Sequence, residues 1–400
     1  MEFNYIFDVK FLNDKKANAD MEINIEIPQG VIANLYWADE SGVPLEDYTA
    51  IKSIPLFDGK ATYKIENALM IPEKAATIRC RVFNDFMNEI ELPELTKEIP
   101  AEKRLEAGEL KRKFIVTSDI HLGGEYFNNT ANRKSAFGYM RDAKPEFVLI
   151  SGDITDNCNP NEFVAAKEHI EMLEGIPVFL STGNHDLAPY KEGCYPHYDE
   201  MNEFFTWQKD RSVKCGATAS EIHFPKYYYD ARVNGVHIIV LDACNEKNQF
   251  YLGDEQLKWL DEKLTESDGE RYRFVISHFH QKGNIVQTRT SAGVSFYKEN
   301  DEVQEILDRH KNVIHSSGHT HYNFDSDLKN THYDSKNNNL YINAGCAVWN
   351  GVCMNERREY YVKNRCTGQV VEVYDNYVIT RGIEFVSGKY ISRCIHFSEM

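Results

Sequence analysis

The sequence predicts an α/β core preceded by a small all-β sandwich, and three observations carry that reading. The first hundred residues alternate apolar and polar positions with period two. From about residue 111 the apolar runs become continuous and are separated by helical stretches. Asp, His and Asn residues then recur at the ends of those runs, where an α/β sheet gathers its ligands.

Taken in order, Met21-Glu22-Ile23-Asn24-Ile25-Glu26-Ile27 suits a strand with one buried face. Val31–Ala38, Ala61–Ile65, Thr77–Phe83 and Glu89–Leu92 read as further strands, with turns at Pro28-Gln29-Gly30 and Asp58-Gly59. Short strands without helices predict a β-sandwich of the immunoglobulin or fibronectin kind over residues 1–95. It contains no catalytic cluster, which leaves packing, domain orientation, or contact with a protein or carbohydrate as its role. Residues 96–110 are charged and contain Pro100, as a linker does.

Residues 111–400 read as a second domain. Its runs Phe114–Thr117, Phe147–Ser151, Val178–Ser181, His237–Leu241, Phe274–Ser277, Val313–Ser316 and Leu340–Asn343 predict strands buried on both faces. Pro160–Leu173, Asp254–Leu264 and Asp301–Asp308 predict helices between them, the second with Leu257, Leu260 and Leu264 at helical spacing. Gln369–His396 returns to alternation and predicts hairpins that complete a sheet.

The length of 400 residues suits two domains. A formal charge of −17 argues against duplex nucleic acid or an anionic membrane as partner. It leaves a small anionic substrate open, because bound cations would dominate the field in a site. Nine scattered cysteines without a Cys-x-x-Cys pair read as reduced thiols. The stretch Met1–Asp8 has no basic, apolar signal character, and no apolar run is long enough to span a bilayer. A cytoplasmic protein is the expectation.

Five segments carry the chemistry: Ser118-Asp119-Ile120-His121, Gly152-Asp153, Gly183-Asn184-His185-Asp186, Ser277-His278 and Gly318-His319-Thr320-His321. Carboxylate, amide oxygen and imidazole are the donor set of borderline divalent cations. Asp119 and His121, two apart at a strand end, point the same way, and His319 and His321 repeat that spacing. Asp153 has two oxygens with which to bridge a pair of ions, while Asn184 and His278 complete a second set. His185 is the candidate general acid, with Asp186 expected to fix its tautomer. Gly152, Gly183 and Gly318 fit a need for tight turns.

The pattern Asp-x-His, Gly-Asp, Gly-Asn-His-Asp, His, Gly-His-x-His, over roughly Lys113 to Gly345, resembles the calcineurin-like metallophosphoesterase superfamily. Leu252–Leu260 resembles its cyclic-nucleotide-phosphodiesterase-like and purple-acid-phosphatase-like branches. An N-terminal β-sandwich is also similar to purple acid phosphatases. The resemblance implies a four-layer α/β/β/α sandwich and two divalent transition-metal ions, Mn, Fe, Zn or Co. It implies Asp119, His121, Asp153 and His321 around one ion, and Asp153, Asn184, His278 and His319 around the other. His185 would protonate the leaving group after attack by metal-bound hydroxide; Asn184 and His185 are candidate substrate contacts, joined, outside the family's pattern, by His280. The implied activity is phosphoesterase, with a phosphodiester first, a monoester or nucleotide as the alternative, and a non-catalytic scaffold as the rival.

The chain departs from the pattern twice. Asp156 stands where purple acid phosphatases carry a tyrosine, so no purple ferric site is expected. His280 stands where the family often has proline, and reads either as a phosphate contact or as a surface imidazole. The Tyr-rich insertion 187–230 reads as a lid, or as a subdomain with Met201–Phe205 helical; 281–297, with Lys282 and Arg289, reads as a second, smaller lid. His315 reads as a hydrogen-bonded core residue, His197, His223 and His237 as structural or surface, and Cys158 and Cys244 as buried thiols near the cleft.

Overall fold

The structure, a computed structural model, describes residues 5–12, 19–65, 71–93, 95–103, 108–123, 130–187, 197–242, 245–246, 249–284, 298–321, 324, 331–348, 350–354, 357–362, 366–375 and 377–398. Seven strands come first: β1 (Ile6–Phe11), β2 (Met21–Glu26), β3 (Ile32–Ala38), β4 (Lys52–Pro55), β5 (Lys60–Ile65), β6 (Thr77–Phe83) and β7 (Thr96–Glu98). They form two antiparallel sheets, β1-β2-β5 and β4-β3-β6-β7. Ile23 and Ile25 from one sheet and Leu35, Trp37, Ile78 and Val82 from the other are buried in one core. The period-two pattern of β2 is therefore the signature of a single covered face.

Two expectations shift here. Glu89–Leu92 is not a strand; it makes one isolated bridge, Phe83 to Glu89, and its side chains stay at least partly exposed. Thr96–Glu98, placed in the linker, instead pairs with β6, and Ile99 is buried with the N-terminal core.

The second part begins with β8 (Leu110–Thr117), α1 (Thr130–Asp142), β9 (Val148–Ser151), α2 (Pro160–Glu171), β10 (Val178–Ser181) and the single turn α3 (Asn184–Leu187). Next come α4 (Tyr198–Lys214), β11 (Thr218–Ala219), β12 (Tyr229–Val233), β13 (Val236–Val240) and the short pair β14 (Asn245–Glu246) and β15 (Gln249–Phe250). After them lie α5 (Gly253–Glu266), β16 (Arg273–Ser277), α6 (Asn300–Arg309), β17 (Val313–Ser317), β18 (Thr331–Asp334) and β19 (Asn339–Asn343). The last strands are β20 (Asn350–Met354), β21 (Arg357–Val362), β22 (Thr367–Tyr374), β23 (Tyr377–Glu384) and β24 (Lys389–Ser398).

Two sheets make the core. One has the order β10-β9-β8-β22-β23-β24, the other β11-β12-β13-β16-β17-β19-β18. They pack face to face through aromatic rings: Phe114 of β8 stacks on Phe147 at 4.8 Å and meets Phe274 of β16 edge-on at 4.6 Å. Such pairs add about 0.5–1.5 kcal/mol each beyond the area they bury. Helices α1, α2 and α4 flank one sheet, and α5 and α6 the other. The result is the four-layer α/β/β/α sandwich, preceded by the small all-β unit.

The described part of the insertion 187–230 contributes a helix to the core. Helix α4 lies on α2 and β10, with Met201, Phe204 and Phe205 fully buried and Phe204 5.3 Å from Phe163. The helical alternative therefore describes Met201–Phe205. Residues 188–196 and 285–297, with Arg289 and also Cys244, lie outside the described residues. Among the described residues, no helix is long and apolar enough to cross a membrane.

The two parts meet along a polar seam. Arg381, almost fully buried, donates to Glu372 at 3.2 Å, to Tyr48 Oη at 2.7 Å and to Glu73. Alongside it the backbone of Tyr390 pairs with Asp47 and Thr49.

Candidate metal centre

Five strands of the two sheets end at one place: β8 before Asp119, β9 before Asp153, β10 before Asn184, β16 before His278 and β17 before His319. The chain there leaves strand geometry. Asp119, His121, Asp153, His319 and His321 all have positive φ, between 46° and 70°. Asp and His tolerate this left-handed region better than bulkier residues do, and the reversals aim their side chains at a common point. Backbone bonds lock them, since the N–H groups of Ile120 and His121 share the carbonyl of Asp153, at 2.9 and 3.0 Å.

The glycines serve close approach more than turning. Gly152 does have φ +85°, but a Cβ there would also lie 2.6 Å from His278 Nδ1. At Gly318 and Gly183 the φ is ordinary, and the space is filled by the Ser118 hydroxyl and the Asp153 carboxylate.

The expected ligands fall into two overlapping groups, beside a third made of His121, Asp156 and His185. Ligand atoms of Asp119, His121, Asp153 and His321 lie within 4.8 Å of one another, as do those of Asp153, His278 and His319. Asn184 Oδ1 joins the second group, 2.9 Å from His278 Nε2. A single atom, Asp153 Oδ2, stands between the groups, 3.6 Å from His121 Nε2 and 3.3 Å from His278 Nε2.

The chemistry of these atoms fits a cation. His278 Nδ1 is 2.8 Å from the Ser151 carbonyl, which only accepts, so Nδ1 carries the proton. Its Nε2 lone pair then faces the Asn184 and Asp153 oxygens. His121 Nδ1 likewise faces the Asp156 carboxylate at 3.2 Å, which turns the Nε2 lone pair toward His321 Nε2, also 3.2 Å away. Asp119 Oδ1 is buried without an aligned hydrogen-bond partner, 3.0 Å from His321 Nε2. Converging acceptors repel unless positive charge, from a proton or a metal ion, sits among them.

The titration behaviour reports the same field. Burial opposes charge on His121, but bonding to Asp119 and Asp156 and the nearby Asp153 raise its pKa to about 10. His278 is raised to about 9, its burial outweighed by Asp153. Burial also works against Asp119 and Asp153, yet the surrounding imidazoles hold both well below the usual carboxylate range. His319 goes the other way, to about 3, through burial and the neighbouring His278.

His185 lies at the rim with its side chain partly exposed. Its Nδ1 is 2.9 Å from the Asp156 carbonyl and 3.4 Å from the Asp156 carboxylate. Asp186 does not touch it, which corrects the expected pairing. Adjacent residues of the one-turn helix α3 project about 100° apart, and Asp186 turns inward to accept from the N–H groups of Gly183 and Thr155 and from the Thr155 hydroxyl. Asp156, noted in the sequence only for what it replaces, is the carboxylate that orients both His121 and His185. Its spacing of three from Asp153 was the available signal.

Arg133 of α1 was also missed. Buried, it donates to the carbonyls of Ile120 and His121 at 2.9 and 2.5 Å and so fixes the first ligand loop. His280 is no surface imidazole: it is fully buried, with Nδ1 2.5 Å from Ser317 Oγ and no partner for Nε2 among the described residues. Lys282 is exposed. His315 is a core residue, 2.8 Å from the Ser277 hydroxyl, and His237 is buried against Asp230.

The profile of the calcineurin-like phosphoesterase family matches residues 112–323. A probable cyclic nucleotide phosphodiesterase of Synechococcus sp. is 24% identical over 197 residues, 49% of this chain and 65% of that protein. A probable glycerophosphodiester phosphodiesterase of Arcobacter nitrofigilis is 27% identical over 136 residues, 34% of this chain and 42% of that protein. The chain thus spans less than two thirds of either relative. A purple acid phosphatase from yellow lupin (Lupinus luteus) seeds superposes over 96% of this chain and 73% of its own, with TM-score 0.50 and 11% identity, a likeness of fold alone.

Proposed function

Because the chain belongs to the calcineurin-like phosphoesterase family, we propose that it hydrolyses phosphate esters at a dinuclear metal centre, with phosphodiesters preferred. The observation that carries this reading is Asp153 Oδ2, poised between two separate sets of donors. On it, Asp119, His121, Asp153 and His321 hold one ion, and Asp153, Asn184, His278 and His319 the other. Two bound divalent cations would supply an acidified water and charge neutralisation of the phosphoryl oxygens.

The protein's own groups do the rest. His185 Nδ1–H donates to the Asp156 carbonyl, so a protonated ring presents Nε2–H to the leaving oxygen, and the Asp156 carboxylate steadies the positive ring. His280 Nε2, buried and without a protein partner, is the atom left for a substrate oxygen. Asp186 takes no part in proton transfer and serves instead to brace the Gly183–Asp186 turn. Preference for diesters is supported by the two relatives, a probable cyclic nucleotide phosphodiesterase and a probable glycerophosphodiester phosphodiesterase.

The test is hydrolysis by the chelated and reconstituted protein, comparing bis-nitrophenyl phosphate with nitrophenyl phosphate in Mn, Fe, Zn or Co. Diester turnover that vanishes in Asp119→Asn and Asp153→Asn is the expected result. Preference for the monoester would move the substrate class to nucleotides and sugar phosphates. Inactivity with every metal, or normal turnover by either variant, would overturn the reading.

A further inference from the structure

We infer that Cys346 is a positioning residue for the Asp119–His121–Asp153–His321 half of the centre, holding two of its ligands through one thiol. The inference deepens the dinuclear reading and rests on it. Cys346 is fully buried in the turn after β19. Its Sγ lies 3.4 Å from His321 Nδ1 and 3.5 Å from the backbone carbonyl of Asp119. A carbonyl only accepts, so the S–H points to Asp119 and the sulfur is left to accept from His321 Nδ1–H. That leaves His321 Nε2 with its lone pair toward Asp119 Oδ1, the buried oxygen that has no aligned partner.

The placement of the sulfur is imposed by the backbone. Thr367 N–H donates to the Cys346 carbonyl at 2.8 Å, and Cys346 N–H faces Thr367 Oγ1 at 3.4 Å. The next residue, Ala347, donates to the Ser118 carbonyl at 2.9 Å. Strand β22 and the Ser118 loop thus fix the thiol between the first and last ligand segments. Through the Asp119 carbonyl it also braces a residue held at φ +53°.

Three imidazoles of the centre turn their distal nitrogen to three different acceptors. His121 has the Asp156 carboxylate, His278 the Ser151 carbonyl and His321 the Cys346 sulfur. Sulfur is the weakest acceptor of the three. Partners behind a metal-bound histidine typically govern affinity by ten- to a hundredfold. The Asp119 half is therefore the one that includes a ligand backed by a thiol.

The experiment is a Co(II) titration of the metal-free full chain, followed by visible absorption, with metal content measured after desalting. The wild type is expected to take two ions. Cys346→Val is one methyl larger but neither donates nor accepts, and should weaken one binding step by roughly ten- to a hundredfold while sparing the other. Cys346→Ser should keep both steps within a few-fold of wild type. Cys366→Val, at a buried thiol that faces the Ala347 and Val348 carbonyls and no ligand of the centre among its described hydrogen bonds, should leave both steps unchanged. Two wild-type steps in Cys346→Val, or an equal loss in Cys366→Val, would overturn the inference. Cys346→Ala gives the same readout should the valine variant not fold. A wild type that binds fewer than two ions refutes the dinuclear reading itself, before the variants are compared.

Discussion

Asp156 shows how much depends on one carboxylate beside the metal donors. Its Oδ1 faces His121 Nδ1, and its carbonyl and carboxylate both face His185. Asp156→Asn keeps the shape and removes the charge, so hydrolysis of a diester with a poor leaving group should fall roughly ten- to a hundredfold. Nitrophenyl esters, which leave without a proton, should suffer less, and rates across a leaving-group series would show it. His185→Ala should steepen the same series. Asp186→Ala should lower thermal stability, because three or more donors lose their acceptor, and leave the leaving-group dependence alone; a changed dependence would return Asp186 to the mechanism. The residue types of the centre were legible because the chemistry of a borderline cation restricts them. Their geometry was not. Spacing of two suggests a continuing strand, whereas Asp119 and His121 converge through left-handed backbone that no side-chain pattern announces.

At the scale of elements, the strand ends are built on glycines that admit no side chain. Gly152→Ala would place a methyl against the His278 ring at a φ of +85°. It should cost about 1–3 kcal/mol of stability together with loss of metal binding, measurable as a lower urea midpoint and a missing Co(II) spectrum. Gly138, inside α1 with open space around it, is the contrasting case: Gly138→Ala should stabilise by about 0.5–1 kcal/mol. The buried strands were legible because continuous apolar runs have few alternatives in an α/β core. Helix α1 was not, since Thr130–Asp142 mixes Gly138 and polar residues with only Ala136, Phe137, Met140 and the clamping Arg133 buried. Glu89–Leu92 misled for the opposite reason: its composition is strand-like, but little covers it.

Across the whole molecule, the change from alternating to continuous patterning located the two parts. Nothing in the sequence announced the seam that joins them. Tyr48, Glu73, Arg381 and Tyr390 are scattered over the chain and meet only in the fold. Arg381→Met would strip Glu372 and Tyr48 of a buried partner, at about 2 kcal/mol. Calorimetry should then resolve two unfolding transitions where the wild type shows coupled ones, with diester turnover retained. A single unshifted transition would mean that the seam is not what couples the two parts.

Strand β8, which ends in the first two candidate ligands, lies between β9 and β22. Its outer neighbour comes about 250 positions later, where the Thr117 hydroxyl meets the Thr367 carbonyl at 3.2 Å. During synthesis, at roughly 5–20 residues per second, β8 waits many seconds with one hydrogen-bonding edge bare. Pairings so distant in sequence are also slow to form. A metal ion held through Asp119 and His121 would thus be captured late in the life of the nascent chain, and until then the bare edge of β8 is open to mispairing.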